Sequence, residues 1–366
     1  MKTEIAKRLA ALREKMKAVE ADLVALGPGS HMQWLAGFHP HADERPCLLL
    51  VGPEKETFLM PVLNAEGSRE ETAIEFHTWP DAEGPNAALA AALAAIDASA
   101  AKSVVLDETM RADFALLLLG ALPGAKHSFT DDTIGALRMR KDTAEFKKLK
   151  MNAGIADRAM QKAFASIKPG MSEIQLAAAI KDHFSSEGAT PQFWIVGAGG
   201  NGAFPHHQTG SRKLQEGDAI VIDIGGRKDG FPSDITRMAV VGSPPEGYGQ
   251  IHSIVEKAVQ AALKAARPGV LAREVDEAAR RVIEDAGYGK YFVHRTGHGM
   301  GIDGHEPPYI TSTSETVLEE GMVFSIEPGI YIPGRFGIRL EDIVILRENG
   351  PEILSTLPRD LHVVRA

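Results

Sequence analysis

Val221–Arg237 reads VIDIGGRKDGFPSDITR. Across its start Ile220, Ile222 and Ile224 alternate with Ala219, Val221 and Asp223, the period of a strand with one apolar face. Gly225, Gly226, Asp229 and Gly230 supply a turn that tolerates positive φ, and from Phe231 the alternation resumes through Asp234, Thr236 and Met238. The expectation is a β-hairpin with Asp223 and Asp234 on one face. They stand directly opposite if the turn centres on Lys228–Asp229 and diagonal if it centres on Asp229–Gly230. An exposed polar face would explain a lone Asp pair. Carboxylates held that close push one pKa up unless a cation lies between them, so the geometry asks for a metal or a shared proton.

On either side of the hairpin runs an internal repeat. Ile167–Gly188 (IKPGMSEIQLAAAIKDHFSSEG) and Ala266–Gly287 (ARPGVLAREVDEAARRVIEDAG) share a helix end, a Pro-Gly break, a second helix and a terminal Gly, 99 residues apart at Pro169 and Pro268. Each copy follows a helix and precedes strands, which implies two related helix–helix–sheet halves about a pseudo-twofold axis. Upstream, Asp142 and Glu145 form a capping-box pattern opening a long helix to Ile167. The domain boundary falls just before it, giving units 1–136 and 137–366.

The second half supplies more polar groups. HRTGHGMGIDGHE (His294–Glu306) sets His294, His298 and His305 among glycines, where backbones approach closely and side chains point into a pocket. MVFSIEPGIYIPGRFGIRLEDIVIL (Met322–Leu346) reads as paired strands with Glu327, Arg339 and Glu341 inside apolar runs. Carboxylates there need partners, and Arg339 could serve Glu341 only at i+2 along one strand. Asp223, Asp234, Glu327 and Glu341 with one imidazole balance the charge of two divalent cations. An oxygen-rich set with one nitrogen favours Mn²⁺, Co²⁺, Fe²⁺ or Zn²⁺ in a catalytic role, and a two-metal centre points to hydrolysis.

From Met1 to about Thr130, helices (to Val19, His31–Phe38, Asn86–Ile96, Met110–Leu122) interleave with short strands (Leu23–Leu26, Leu48–Val51, Thr57–Pro61, Val104–Leu106). That pattern implies an α/β layer domain on a mostly parallel or mixed sheet. Its loop Gly37–Pro46 carries His39 and His41, expected to be solvated. The 366 residues, 44% hydrophobic, suffice for two domains. A net charge of −9 with no basic stripe excludes a nucleic-acid binder. No apolar run reaches the roughly eighteen residues of a membrane span. The lone Cys47 forms no internal disulfide, and the charged amphipathic opening lacks the core of a signal peptide, so a cytoplasmic enzyme is expected.

FPHH (Phe204–His207), DIGG…SDITR, HRTGHGMG…GHE, SIEPGIY and RLED, in that order and spacing, resemble the creatinase/prolidase/aminopeptidase P/methionine aminopeptidase group of metallopeptidases. Ala21–Phe38 is similar to the group's smaller accessory domain. The resemblance implies an α+β chain with a C-terminal pita-bread catalytic domain and a smaller N-terminal α/β creatinase-like domain. It implies metal ligands Asp223, Asp234, His298, Glu327 and Glu341, with Asp234 and Glu341 bridging two divalent ions, manganese expected and cobalt, zinc and iron as alternatives. Glu327 would also orient or deprotonate the bridging water. His206, His294 and His305 would bind substrate and stabilise the tetrahedral intermediate, and Arg339 would support the last ligand.

The implied reaction is removal of an N-terminal residue from peptides with proline second, as an Xaa-Pro dipeptidase or aminopeptidase and as a homodimer. Many prolidases carry an arginine just after H-E-x-P, bearing on the substrate's carboxyl end. Here HEPPY puts Tyr309 there, which implies acceptance of longer peptides, with Arg335 as another basic residue able to serve the carboxylate. A non-peptidase hydrolase or lyase on the same scaffold and a non-enzymatic binding protein are the alternatives.

Overall fold

The computed structural model describes residues 2–365, which divide into two units, Met1–Arg138 and Met139–Ala366. In the first, the elements run α1 (Lys2–Ala18), β1 (Leu23–Leu26), α2 (Ser30–Ala36), β2 (Leu48–Val51), β3 (Glu56–Pro61), α3 (Val62–Ser68), β4 (Glu75–Trp79), α4 (Asn86–Ala95), β5 (Ser103–Leu106), α5 (Ala112–Ala121), β6 (Lys126–Phe129) and α6 (Ile134–Met139). Among the described residues the strands form a mixed sheet in the order β4-β3-β2-β1-β5-β6, antiparallel through β1, β2 and β3 and parallel elsewhere. Leu23, Ala25, Leu48 and Leu50 pack with Leu89 and Leu93 of α4 and Phe114 and Leu118 of α5, so strands read from continuous apolar runs are fully buried. Sequence periodicity did not reveal α3, β4, β6 or α6; β6 is exposed along its length and has no apolar face to betray it.

The second unit begins with α7 (Thr143–Ser166), where Asp142 Oδ1 accepts from the Ala144 and Glu145 N–H groups (2.7 and 2.8 Å) and Glu145 returns a carboxylate to the Asp142 N–H. This is the expected capping box. Then come α8 (Glu173–Ser186), β7 (Thr190–Ala198), β8 (Ala219–Lys228), β9 (Phe231–Pro232) and β10 (Ile235–Val241). The other half has α9 (Tyr248–Ala265), α10 (Ala272–Asp285), β11 (Gly297–Gly299), β12 (Glu306–Ile310), β13 (Val323–Ile326), β14 (Gly329–Ile332), β15 (Phe336–Arg339), β16 (Asp342–Arg347), β17 (Gly350–Ile353) and β18 (His362–Val364).

The repeat is structural. Gly170 and Gly269 take φ of 79° and 90°, and their N–H groups donate to Leu214 O and Leu318 O, each at 2.8 Å. Leu214 and Leu318 return N–H bonds to Met171 O and Val270 O. Each half thus pins its Pro-Gly break to a later, irregular segment of the chain by the same two bonds. β18 pairs parallel with β10, so this strand joins the first half's sheet.

The β8–β9 turn centres on Asp229–Gly230, with φ of 51° and 81° and Lys228 facing Phe231. Thr236 therefore faces Asp223, and Asp234 lies on the diagonal. The expectation of one apolar face is corrected: Ile220, Ile222 and Ile224 enter one core cluster and Ala219 and Val221 another. β8 is buried on both faces because each half's helices cover one side of it.

Candidate metal centre

A cavity of about 720 Å³ in the second unit is lined by Asp223, Asp234, His298, Glu327 and Glu341, together with His206, His294, His305 and Arg339. Of the residues singled out in the sequence, Tyr309 is not among those lining it and is 39% exposed. Arg335 donates to Glu246 O at 2.7 Å and is likewise not among the lining residues.

Asp234, Glu327 and Glu341 sit where strands are interrupted, whereas Asp223 lies within β8 and His298 within β11. Asp234 occupies the gap between β9 and β10, after Ser233 has closed the hairpin through its N–H to Gly226 O (2.8 Å). β13 pairs with β16 and β14 with β15 in one continuous register: Ile326 faces Asp342 and Gly329 faces Arg339. Glu327 and Glu341 therefore fall opposite each other in the break between two ladders. His298, on β11, is brought close by glycine. A Cβ on Gly297 would meet Ser325 O at 1.9 Å and one on Gly299 would meet Pro307 O at 2.3 Å, so no larger residue fits beside this imidazole.

Neighbouring side chains hold these groups in place. The His298 N–H donates to Ser325 Oγ (2.9 Å), which donates to Glu327 Oε1 (3.0 Å). Thr236 Oγ1 donates to Glu341 Oε2 (2.7 Å) and accepts from Arg339 Nε (3.1 Å). Arg339 ion-pairs with Asp223 and donates to Tyr331 OH (2.8 Å). Its partner is thus the first aspartate, and Glu341 is reached only through Thr236.

Hydrogen bonding assigns the imidazole protons. His298 Nδ1 lies 3.1 Å from Gly299 O and must donate, which leaves the Nε2 lone pair facing Glu327 Oε1 (3.3 Å) and Asp234 Oδ2 (3.7 Å). His305 Nδ1 lies 3.2 Å from Arg295 Nη2, a guanidinium that can only donate, so its proton sits on Nε2. His294 donates from Nδ1 to Arg295 O (2.7 Å) and meets Tyr331 OH through Nε2 (2.8 Å). Burial, reinforced by His305, holds His298 down at about 3, and burial with Arg339 holds His294 at about 4, so both rings are neutral.

The carboxylates are crowded. Burial pushes Asp234 well above its ordinary range, and Glu341, Asp223 and Glu327 add to the effect. Burial does the same to Glu341, reinforced by Glu327 and Asp223. Among the described residues, Asp223 Oδ1 and Asp234 Oδ1 are buried without a hydrogen-bond partner. Oxygens left unpaired in so negative a site suit divalent cations. Ligand atoms of Asp223, Asp234 and Glu341 lie within 4.8 Å of one another, and so do those of His298, Glu327 and Glu341. Two overlapping sets share Glu341.

The sequence profile described as metallopeptidase family M24 matches residues 147–348, and the creatinase/prolidase N-terminal domain profile matches 8–140. The chain belongs to metallopeptidase family M24. It is 38% identical over 348 residues to the probable dipeptidase PepE of Mycobacterium tuberculosis, covering 93% of this chain and 92% of that one. It is 34% identical to the Xaa-Pro dipeptidase of Pyrococcus horikoshii, covering 94% and 95%. The crystal structure of dipeptidase PepE from Mycobacterium ulcerans superposes with a TM-score of 0.94 at 38% identity, covering 100% and 99%.

As an M24 metallopeptidase the protein is a hydrolase dependent on divalent metal ions. Several residues that shape this M24 site gave no local signal. Glu173 is fully buried at the start of α8 and accepts from Ala198 N–H, Asn201 Nδ2 and Gly210 N–H (2.9, 2.9 and 3.2 Å). It also meets His207 Nε2 at 2.9 Å, which fixes the segment presenting His206. Arg295 lines the cavity, hidden in the sequence between two more conspicuous histidines. Outside the site, His31 lies near Asp107 and Glu108, but its Nδ1 accepts from Arg138 (3.0 Å) and its Nε2 bonds Glu108 (3.1 Å). Both nitrogens are occupied, and the cluster is a structural network.

Proposed function

We propose that this enzyme hydrolyses the bond between an N-terminal residue and a following proline, with two divalent ions held by Asp223, Asp234, His298, Glu327 and Glu341. The convergence of four carboxylates and one outward-facing imidazole lone pair in one cavity carries this reading. Glu341 belongs to both ligand groups, and Asp234 Oδ2 lies 3.7 Å from His298 Nε2, which supports a bridging role for both when two ions are bound. The ions, when bound, polarise the scissile carbonyl and make water nucleophilic at neutral pH. Glu327 is placed to take the proton from the attacking water and pass it to the departing prolyl nitrogen. His305, with its proton on Nε2, donates to the oxygen on which negative charge develops. His206, exposed at the cavity wall, binds the substrate, and Phe193, Ile195, Pro205 and Val293 provide apolar surface for the proline ring.

Manganese is the metal we assign, since five hard oxygen and nitrogen ligands without thiolate suit it. A homodimer in the cytoplasm completes the reading, the buried, unpaired Cys47 agreeing with a reducing setting. The test is hydrolysis of Xaa-Pro and Xaa-Ala peptides by chelated protein resupplied with Mn²⁺, Co²⁺ or Zn²⁺, with light scattering for the oligomer. No metal-restored cleavage of any Xaa-Pro bond would leave a non-peptidase or binding role in its place.

A further inference from the structure

Two guanidinium groups face the cavity, and they are placed differently. Arg339 is buried and ion-paired with Asp223. Arg295 is half-buried and, among the described residues, forms no ion pair; Nη2 donates to His305 Nδ1 (3.2 Å) and the guanidinium carbon lies 4.5 Å from the centroid of the Tyr309 ring. Stacking on the ring and the bond to His305 hold the guanidinium plane in place while leaving further N–H groups for an anion. In a cavity dominated by carboxylates, an arginine held this way is positioned for an anion from outside the protein.

Distance narrows the choice of anion. In an Xaa-Pro dipeptide the terminal carboxylate is three bonds from the scissile carbonyl carbon, less than about 4 Å away. Its receptor must therefore stand about one side chain from the metal ligands. The His298 and His305 rings lie 3.7 Å apart between centroids, and Arg295 bonds the far side of His305. One imidazole separates it from the ligand. A terminal carboxylate is also the one negative group that every such dipeptide carries.

Resting on the proposed Xaa-Pro hydrolysis, we infer that Arg295, braced by Tyr309, binds the free carboxylate of the substrate and makes the enzyme a dipeptidase. Tyr309 then serves as the platform for the cation, a role different from the expected one of opening the site to longer peptides, and the two are separated by the experiment below.

The experiment compares Xaa-Pro, Xaa-Pro amide and Xaa-Pro-Yaa, with Xaa neutral, on the metal-restored wild type and on Arg295→Gln, which keeps a neutral N–H donor for His305. We expect the wild type to favour the dipeptide over its amide by roughly tenfold or more in kcat/KM. The variant should lose that preference because KM rises far more on the dipeptide than on the amide. Equal losses on dipeptide and amide would show that Arg295 acts by positioning His305. In a parallel series with acidic Xaa, a loss confined to those substrates would assign it to the other end of the peptide. Either result overturns the inference, as does a wild type indifferent to amidation, a measurement that needs no variant. Absence of all Xaa-Pro cleavage by the wild type would instead overturn the proposed reaction itself.

Discussion

The His298 and His305 rings lie with centroids 3.7 Å apart and planes tilted by 31°, yet they hold their protons on opposite nitrogens. The Nδ1 of His298 is committed as donor to a carbonyl and that of His305 as acceptor from Arg295. For His305 to ligate through Nε2 it would have to become an imidazolate, since Nδ1 has no proton to keep. His298→Ala should therefore release metal, whereas His305→Ala should retain it and lose roughly 10²–10³-fold in kcat, the cost of one donor to a developing oxyanion. Metal analysis of the two purified variants decides the matter, and equal loss in both would refute the division.

Asp234→Asn and Glu341→Gln should abolish turnover and lower bound metal, since each removes a shared carboxylate. Without metal the effect on stability reverses. Asp234 is crowded by burial and by Glu341, Asp223 and Glu327. Chelated Asp234→Asn should accordingly melt a few degrees above chelated wild type, a gain at the expense of activity. Calorimetry showing the chelated variant less stable would contradict that account.

Chelation of the wild type should lower the melting temperature of the catalytic unit. At free metal about 100 times Kd the bound state gains about 2.7 kcal/mol. At about 2–4 °C per kcal/mol for a unit of this size, the shift is on the order of 5–10 °C. A melting curve indifferent to metal would argue against ligands drawn from both halves.

Glu173 gives the pH dependence. Burial opposes its charge, but bonds from Ala198 N–H, His207, Asn201 and Gly210 N–H outweigh it and hold its carboxyl below the usual 4.5. A carboxyl depressed in the folded state contributes stability above its unfolded pKa, and that contribution is lost as pH falls through the folded value. Glu173→Gln should destabilise by roughly 1–3 kcal/mol near neutrality and converge with wild type in acid. It should also raise KM, because the segment presenting His206 loses its anchor. Parallel stability curves across pH 3–7 would show that the charge is not what matters.

Legibility in the sequence followed the range of the interactions. The hairpin glycines, the Asp142–Glu145 box and the strands Leu23–Leu26 and Leu48–Val51 are specified within a few residues and were read with their bounds. The carboxylates and histidines lining the cavity are legible because such groups in apolar or glycine-rich runs are conspicuous alone. Whether Asp223 and Asp234 stood opposite or diagonal depended on a one-residue difference in turn register, which composition left open. The clamp of Glu173 on His207 joins residues 34 apart, and the pairing of Arg339 with Asp223 spans 116. Neither has a local period, and Arg295 became visible only when folding placed it between His305 and Tyr309.

The exposed run of Ser243 and Pro244 lies between β10 and α9, where one half passes to the other. Asp223 and Asp234 precede that seam; His298, Glu327 and Glu341 follow it. Two separately synthesised pieces broken there would each be chemically mute, and mixing them with metal would restore an enzyme with no peptide bond between its halves. Continuity of the chain across the seam is thus a matter of delivery: it guarantees equal amounts of both pieces at high effective concentration, while the chemistry requires only that they meet.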